Sequence, residues 1–151
     1  MTILVCIIDN DLNQLLLTQE ALSSRDTRTT LSDSNGEVLS VIGPAGAIPG
    51  FTVQGRARAL WIGNQAATLV DNVPGAFEAR YDILAVSRWG DGWAVIDELS
   101  VTLLTDDGLE TSARYEHDEV IMSWSLTSGT LQVTDFRGLV LQLDANLEVA
   151  E

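Results

Sequence analysis

Apolar and polar residues follow three different patterns along this chain, and each predicts a different element. Ile3–Ile8 is a continuous apolar run rich in β-branched residues, which predicts a short buried strand. Asp11, with Gln14 three residues later, has the form of a capping box. Leu12, Leu15, Leu16, Gln19 and Leu22 then recur at helical spacing, predicting one helix over Leu12–Ser23. From Thr29 onward the period is two. Phe51, Val53, Gly55, Ala57, Ala59 and Trp61 alternate with Thr52, Gln54, Arg56, Arg58 and Leu60, which predicts a strand with an arginine pair on its outer face.

The same period continues to the end. Trp93, Val95, Leu99, Val101 and Leu103 define an apolar strand face on which Asp97 is the odd member. The turn Asp106-Asp107-Gly108 leads to a hairpin partner through Tyr115, and Val120, Met122, Trp124 and Leu126 form the next strand. Leu131 and Val133, then Leu139, Leu141 and Leu143, follow after glycine-bearing turns. The fold class expected is α+β, mostly antiparallel β (a sandwich, roll or partial barrel) with one N-terminal helix. A single domain over 1–151 is expected, with a strand–helix–strand start at about 1–42, a Gly/Pro loop at 43–50 and a β meander at 51–145.

A weak internal repeat runs from Asp82–Leu103 to Glu119–Leu141 at an offset of 37 or 38 residues. Ser128–Asp135 followed by Gly138–Asp144 resembles the edge of a propeller blade, and the spacing suits one. Two ordinary hairpins with similar turns give the same pattern. The resemblance implies a ring whose completion needs several chains.

Ile3-Leu4-Val5, then Asp9-Asn10-Asp11-Leu12-Asn13, a Leu-rich segment and Asn35-Gly36-Glu37-Val38-Leu39 resemble the start of a response-regulator receiver domain. That resemblance implies magnesium held by the acids after the first strand, beside a phospho-accepting aspartate. The matching region for the acceptor, Phe51–Asn64, contains no acidic residue.

Charge narrows the partners. All eight basic residues are arginine, set against 22 acids, for a formal net charge of −14. Residues 1–88 carry a net −3 and residues 89–151 a net −11. Such a chain repels phosphate backbones and anionic membranes and attracts basic proteins or cations. It has no ε-amine for Schiff-base chemistry. A GC-rich genome also favours arginine over lysine, so the composition has a genomic reading as well. The apolar run at Ile3–Ile8 is too short to span a bilayer, and Asp9 ends it without a preceding basic segment, which argues against a secretory signal. The single Cys6, in an apolar run, is expected to be a buried small hydrophobe, and a reducing cytoplasm is the expected compartment.

Candidate chemistry is sparse. His117 is the only histidine and lies in an acidic turn, where an exposed, pH-sensitive contact suits it better than a general base. Asp106, Asp107, Glu110, Glu116, Asp118 and Glu119 flank one predicted strand and could bind calcium or magnesium if gathered, though their spacing matches no known calcium loop. Arg56 and Arg58 with Arg80 and Arg88 could form a basic strip. Trp61, Trp93 and Trp124 fall on predicted inward faces, whereas Trp89 falls in a predicted turn beside charge.

The function expected is a non-catalytic acidic protein-binding module, such as an immunity-type inhibitor of a basic partner. No catalytic residue, cofactor or metal is expected, and the partner-binding residues are Trp89, Asp106, Asp107, Glu116, Asp118 and Glu119. One alternative is a structural or assembly subunit of a larger bacterial complex, with a homo-oligomer as its partner. Another is a metal-dependent enzyme using the acidic cluster. Nucleic acid is disfavoured except through DNA mimicry, and no membrane partner is expected.

Overall fold

The computed structural model describes residues 2–9, 14–34, 36–107 and 110–149. They form fifteen strands in four antiparallel sheets and no helix. The first sheet holds β1 (Thr2–Asp9), β2 (Gln14–Ala21), β3 (Asp26–Asp33) and β4 (Gly36–Pro44) in chain order. The second holds β5 (Gly50–Gln54), β6 (Ala57–Ile62), β7 (Gln65–Val70) and β8 (Val73–Glu78). The third holds β9 (Ile83–Trp89), β10 (Gly92–Asp97), β11 (Ser100–Leu104) and β12 (Thr111–Glu116). The fourth has three strands, β13 (Ile121–Thr127), β14 (Thr130–Asp135) and β15 (Val140–Leu143), with one further bridge from Leu143 to Val149.

The α+β expectation therefore fails at the N-terminus, where the predicted helix is β2. Leu15 and Leu17 are fully buried while Leu16, between them, is half-buried on the opposite face, which is a period of two. Pairing with β1 on one side and β3 on the other satisfies the backbone of β2 and overrides the helical propensity of its leucines. Ser23, taken as the helix end, instead closes the β2–β3 turn, its Oγ accepting the N–H groups of Arg25 and Asp26. The capping-box aspartate Asp11 lies outside the described residues.

Two predicted long strands are hairpins. Gly55, with a φ of 60°, folds the segment 51–61 back on itself between β5 and β6. Asp97 does the same between β10 and β11. It is 2% exposed because its carboxylate accepts the N–H of Leu99, the N–H of Ser100 and the Ser100 hydroxyl. The odd polar residue on an apolar face is thus a turn cap. The Gly/Pro loop is shorter than expected, since β4 runs to Pro44.

Consecutive sheets pack face to face through three apolar layers. Leu15, Leu17, Leu31, Leu39 and Val41 meet Leu60, Ile62 and Ala67 between the first and second sheets. Ala57, Ala59, Trp61 and Ala66 meet Val86, Trp93, Val95 and Leu104 between the second and third. Ala94, Ile96, Val101 and Leu103 meet Ile121, Leu131, Val133 and Leu143 between the third and fourth. Successive small antiparallel sheets stacked in this way are the construction of a β-propeller.

One backbone contact recurs at each junction. The turn between the second and third strands of a sheet accepts an N–H from the connection leading to the next sheet: Ala45 to Arg25, Ile83 to Gly63 and His117 to Leu99, each at 2.8 Å. The two terminal sheets differ from the inner ones on their outer faces. Thr18, Thr30 and Ser40 lie in one row on the first, and Ser125, Gln132 and Gln142 in one row on the fourth.

The buried strand expected at Ile3–Ile8 is a strand, but an edge strand. Ile3, Leu4, Val5 and Ile7 are 43–60% exposed, because only β2 covers it. The side chain of Cys6 lies outside those described.

Candidate functional site

The strand directions of the third and fourth sheets sort their charged residues onto two ends. One end carries the β9–β10 turn, the β11–β12 turn and the segment 144–149. The other carries the β10–β11 turn, the β12–β13 connection and the β14–β15 turn. Of the six expected partner-binding residues, Trp89, Asp106 and Asp107 lie at the first end and Glu116, Asp118 and Glu119 at the second. The intervening β12 holds the two groups on the order of 20 Å apart. They are therefore not one patch, and the acidic cluster proposed as a metal site is not gathered.

At the second end three arginines pair with some of the acids. Glu116 pairs with Arg80 at 3.2 Å and with Arg114 at 3.3 Å, and Asp118 pairs with Arg137 at 2.8 Å. Glu119 accepts the N–H of Val120. The basic strip imagined from Arg56, Arg58, Arg80 and Arg88 does not form, since Arg80 and Arg88 pair with acids at opposite ends of the sheet.

His117 is not the exposed turn residue its neighbours suggest. Its side chain is 4% exposed and lies between Tyr115 and Asp135. Nε2 is 2.8 Å from Asp135 Oδ2, and the Tyr115 hydroxyl is 2.8 Å from Nδ1. A carboxylate only accepts, so Nε2 carries a proton, and the Tyr115 hydroxyl pairs with Nδ1. Asp135 also accepts the Arg137 guanidinium at 2.7 Å and the N–H groups of Arg137 and Leu139. The Arg137 hydrogen bond holds the Asp135 carboxyl well below the usual range, and burial works against it without prevailing. The same guanidinium lowers Asp118, while burial raises the Tyr115 phenol. His117, Asp118 and Asp135 bring ligand atoms within 4.8 Å of one another. The place a divalent cation would take is already served by the Arg137 charge. The network ties the β12–β13 connection to the β14–β15 turn and holds the only histidine in a structural role.

The first end is built differently. A cleft of about 470 Å³ opens between the third and fourth sheets, lined by Trp89, Trp93, Asp91, Asp106 and Ser112, with Gly90, Gly92 and Gly129 on its rim. Trp89, the last residue of β9 and half-buried, donates its indole N–H to the Thr127 carbonyl at 2.7 Å, which fixes it across the sheet boundary. Trp93 is fully buried and donates to the Asp106 carbonyl at 3.3 Å. The Arg88 guanidinium lies 5.0 Å from the Trp93 ring centre and 2.6 Å from Asp106 Oδ1. Asp91, Asp107, Glu110, Asp144 and Glu148 crowd the same end, where Arg88 is the one arginine in the third and fourth sheets. Asp107 accepts the Thr105 hydroxyl at 2.7 Å.

Sequence reasoning singled out Trp89 and Asp106 but missed Trp93, Arg88 and Asp91 as neighbours of the same cleft. The phrase Arg88-Trp89-Gly90-Asp91-Gly92-Trp93 was the available signal, since a two-residue hairpin turn returns its ends to one place. No sequence signal pairs His117 with Asp135, eighteen residues away. Trp61 is buried as expected, whereas Trp124 is 38% exposed at the edge of the fourth sheet.

No protein-family model and no curated protein matches the chain. Among solved structures it is similar to BBS1N in complex with ARL6DN, in a mercury-soaked crystal (TM-score 0.56, 13% identity, 99% of this chain and 54% of that one) and in a lead-soaked crystal (0.56, 15%, 99% and 56%). It is also similar to HIRA residues 644–1017 (0.56, 8%, 99% and 52%). These likenesses establish the fold as all-β and propeller-like. The chain spans about half the length of the structures it matches. No helix among the described residues is long and apolar enough to cross a membrane.

Proposed function

We propose that this chain is a non-catalytic protein-binding module, a run of propeller blades that docks a basic protein partner. The supporting observation is the unequal compensation of its two ends. Around the third and fourth sheets, three arginines (Arg80, Arg114 and Arg137) pair with Glu116, Asp118 and Asp135 at one end, whereas at the Trp89 end Arg88 pairs with Asp106, and Asp91, Glu110 and Glu148 are exposed. A field concentrated at one place steers a cationic partner there, and half-buried tryptophan supplies the contact that slows its release. BBS1N, one of the similar structures, is itself seen bound to a protein. An immunity-type inhibitor is one form such a module takes.

The test is capture by the immobilised chain at low and high salt, with mass spectrometry of what is retained. The expected result is a stoichiometric basic protein released by salt. Retention of neutral or acidic proteins alone, independent of salt, would sink this reading.

A second reading, a subunit of a larger assembly, is favoured by β1. An edge strand with Ile3, Leu4, Val5 and Ile7 exposed offers both apolar side chains and an unpaired backbone edge to another strand.

A further inference from the structure

The cleft between the third and fourth sheets has a chemistry more specific than general acidity, and this inference rests on the module reading above. We propose that it receives an arginine or lysine side chain from an extended basic segment of the partner protein, held between the Trp89 ring and the carboxylates of Asp91 and Asp106. Three independent observations converge on that ligand.

The first is shape. About 470 Å³ lies within the range of roughly 300–1,000 Å³ of sites that enclose small ligands, ample for one long side chain. Glycines at 90 and 129 leave the rim without side chains, so a peptide backbone can approach closely. An added Cβ at Gly90 or Gly129 would meet nothing within 4 Å, which shows how open that rim is.

The second is rigidity. The indole N–H groups of both tryptophans are already spent on backbone carbonyls, Trp89 on Thr127 and Trp93 on Asp106. The Trp89 ring, the accessible one of the two, is therefore held in place before any ligand arrives, and binding loses little side-chain entropy.

The third is that the protein already binds a guanidinium by the same means. Arg88 stacks over Trp93 at 5.0 Å and meets Asp106 Oδ1 at 2.6 Å. Tryptophan face plus carboxylate is the combination that recognises a cation. Asp91 is exposed on the neighbouring turn and, among the described residues, has no hydrogen bond or ion pair. One carboxylate of the cleft is thus engaged by the chain's own arginine and another remains for an incoming one.

The experiment uses the full chain and a labelled hexa-arginine peptide, with binding read by anisotropy and by tryptophan fluorescence. Asp91→Asn is expected to weaken binding about five-fold and Asp91→Arg to abolish it. Glu119→Gln and Glu119→Arg make the same charge changes at the opposite end and are expected to leave binding unaltered. Equal weakening from both positions would mean that net charge alone attracts the peptide, and would overturn the assignment. So would the absence of saturable binding, or spermidine binding as tightly as the peptide with the same sensitivity to Asp91. If a basic partner is captured but the peptide ignores Asp91, the cleft assignment falls while the module reading stands. Peptide binding that depends on Asp91 supports the cleft whether or not the capture experiment yields a basic protein.

Discussion

Asp97 and Asp135 occupy the same position in successive sheets, each ending the second strand and capping the turn that follows. Asp97 spends its carboxylate within its own turn, on Leu99 and Ser100. Asp135 caps its turn through Arg137 and Leu139 and also receives the Arg137 guanidinium and His117. One residue type at one repeat position thus performs a local task in the third sheet and a connecting task in the fourth.

Removing the local cap leaves buried donors without a partner. Asp97→Ala is expected to lower stability by about 1–3 kcal/mol in urea unfolding. Asp97→Asn, which keeps one acceptor oxygen, should lose less. Equal stability of both variants with the native protein would show that the turn holds itself.

The Asp135 tie is expected to be pH-dependent with a definite sign. Arg137 depresses the folded-state Asp135 carboxyl below its ordinary value near 4. Its contribution is therefore complete above that ordinary value and is lost as pH falls towards the depressed one. Arg137→Met removes the main cause of the depression, so acid unfolding, followed by tryptophan fluorescence, should begin at a higher pH than in the native protein. An unmoved or lowered acid midpoint would contradict the role given to Arg137.

Trp93 joins the core to the cleft. It is fully buried between the second and third sheets and carries Arg88 on its ring. Trp93→Ala should cost about 3–5 kcal/mol through the cavity it leaves. Trp124→Ala, at a 38% exposed position, should cost far less by the same denaturant measurement.

Gly92 sits where the β10 backbone passes the end of β11. A Cβ added there would collide with the Leu104 carbonyl oxygen, and backbone cannot swing aside as a side chain can. Gly92→Ala should destabilise by about 1–3 kcal/mol, measured by thermal and urea unfolding together.

If β1 mediates self-association, charging it should disperse the protein. Leu4→Lys combined with Ile7→Lys is expected to abolish any concentration-dependent increase in mass seen by light scattering, without altering hexa-arginine binding. Unchanged association would move the assembly reading away from this edge.

Much of the C-terminal half was legible because its signals are local. The offset of 37 or 38 residues between Asp82–Leu103 and Glu119–Leu141 is the spacing of β9–β11 and β13–β15, since Ile83 and Ile121 begin equivalent strands. Two ordinary hairpins with similar turns was the reading the sequence favoured, and the equivalence of those strands replaces it. The N-terminal half was misread because three consecutive leucines fit a helix as well as a strand, and only burial distinguishes Leu15 and Leu17 from Leu16. The candidate site was half legible. Trp89 and Asp106 were named, but Glu116, Asp118 and Glu119 were joined to them by closeness in sequence, which a strand of six residues undoes.

The amino-acid sequence alone determined the alternating faces, the turns and the concentration of negative charge after residue 88, because these depend on neighbours within a few positions. Tertiary structure decided which carboxylates meet a guanidinium, where the histidine is enclosed and that two tryptophans share a cleft. Those outcomes depend on which strand ends the packing of one sheet on the next brings together, and residues far apart along the chain carry no mark of it.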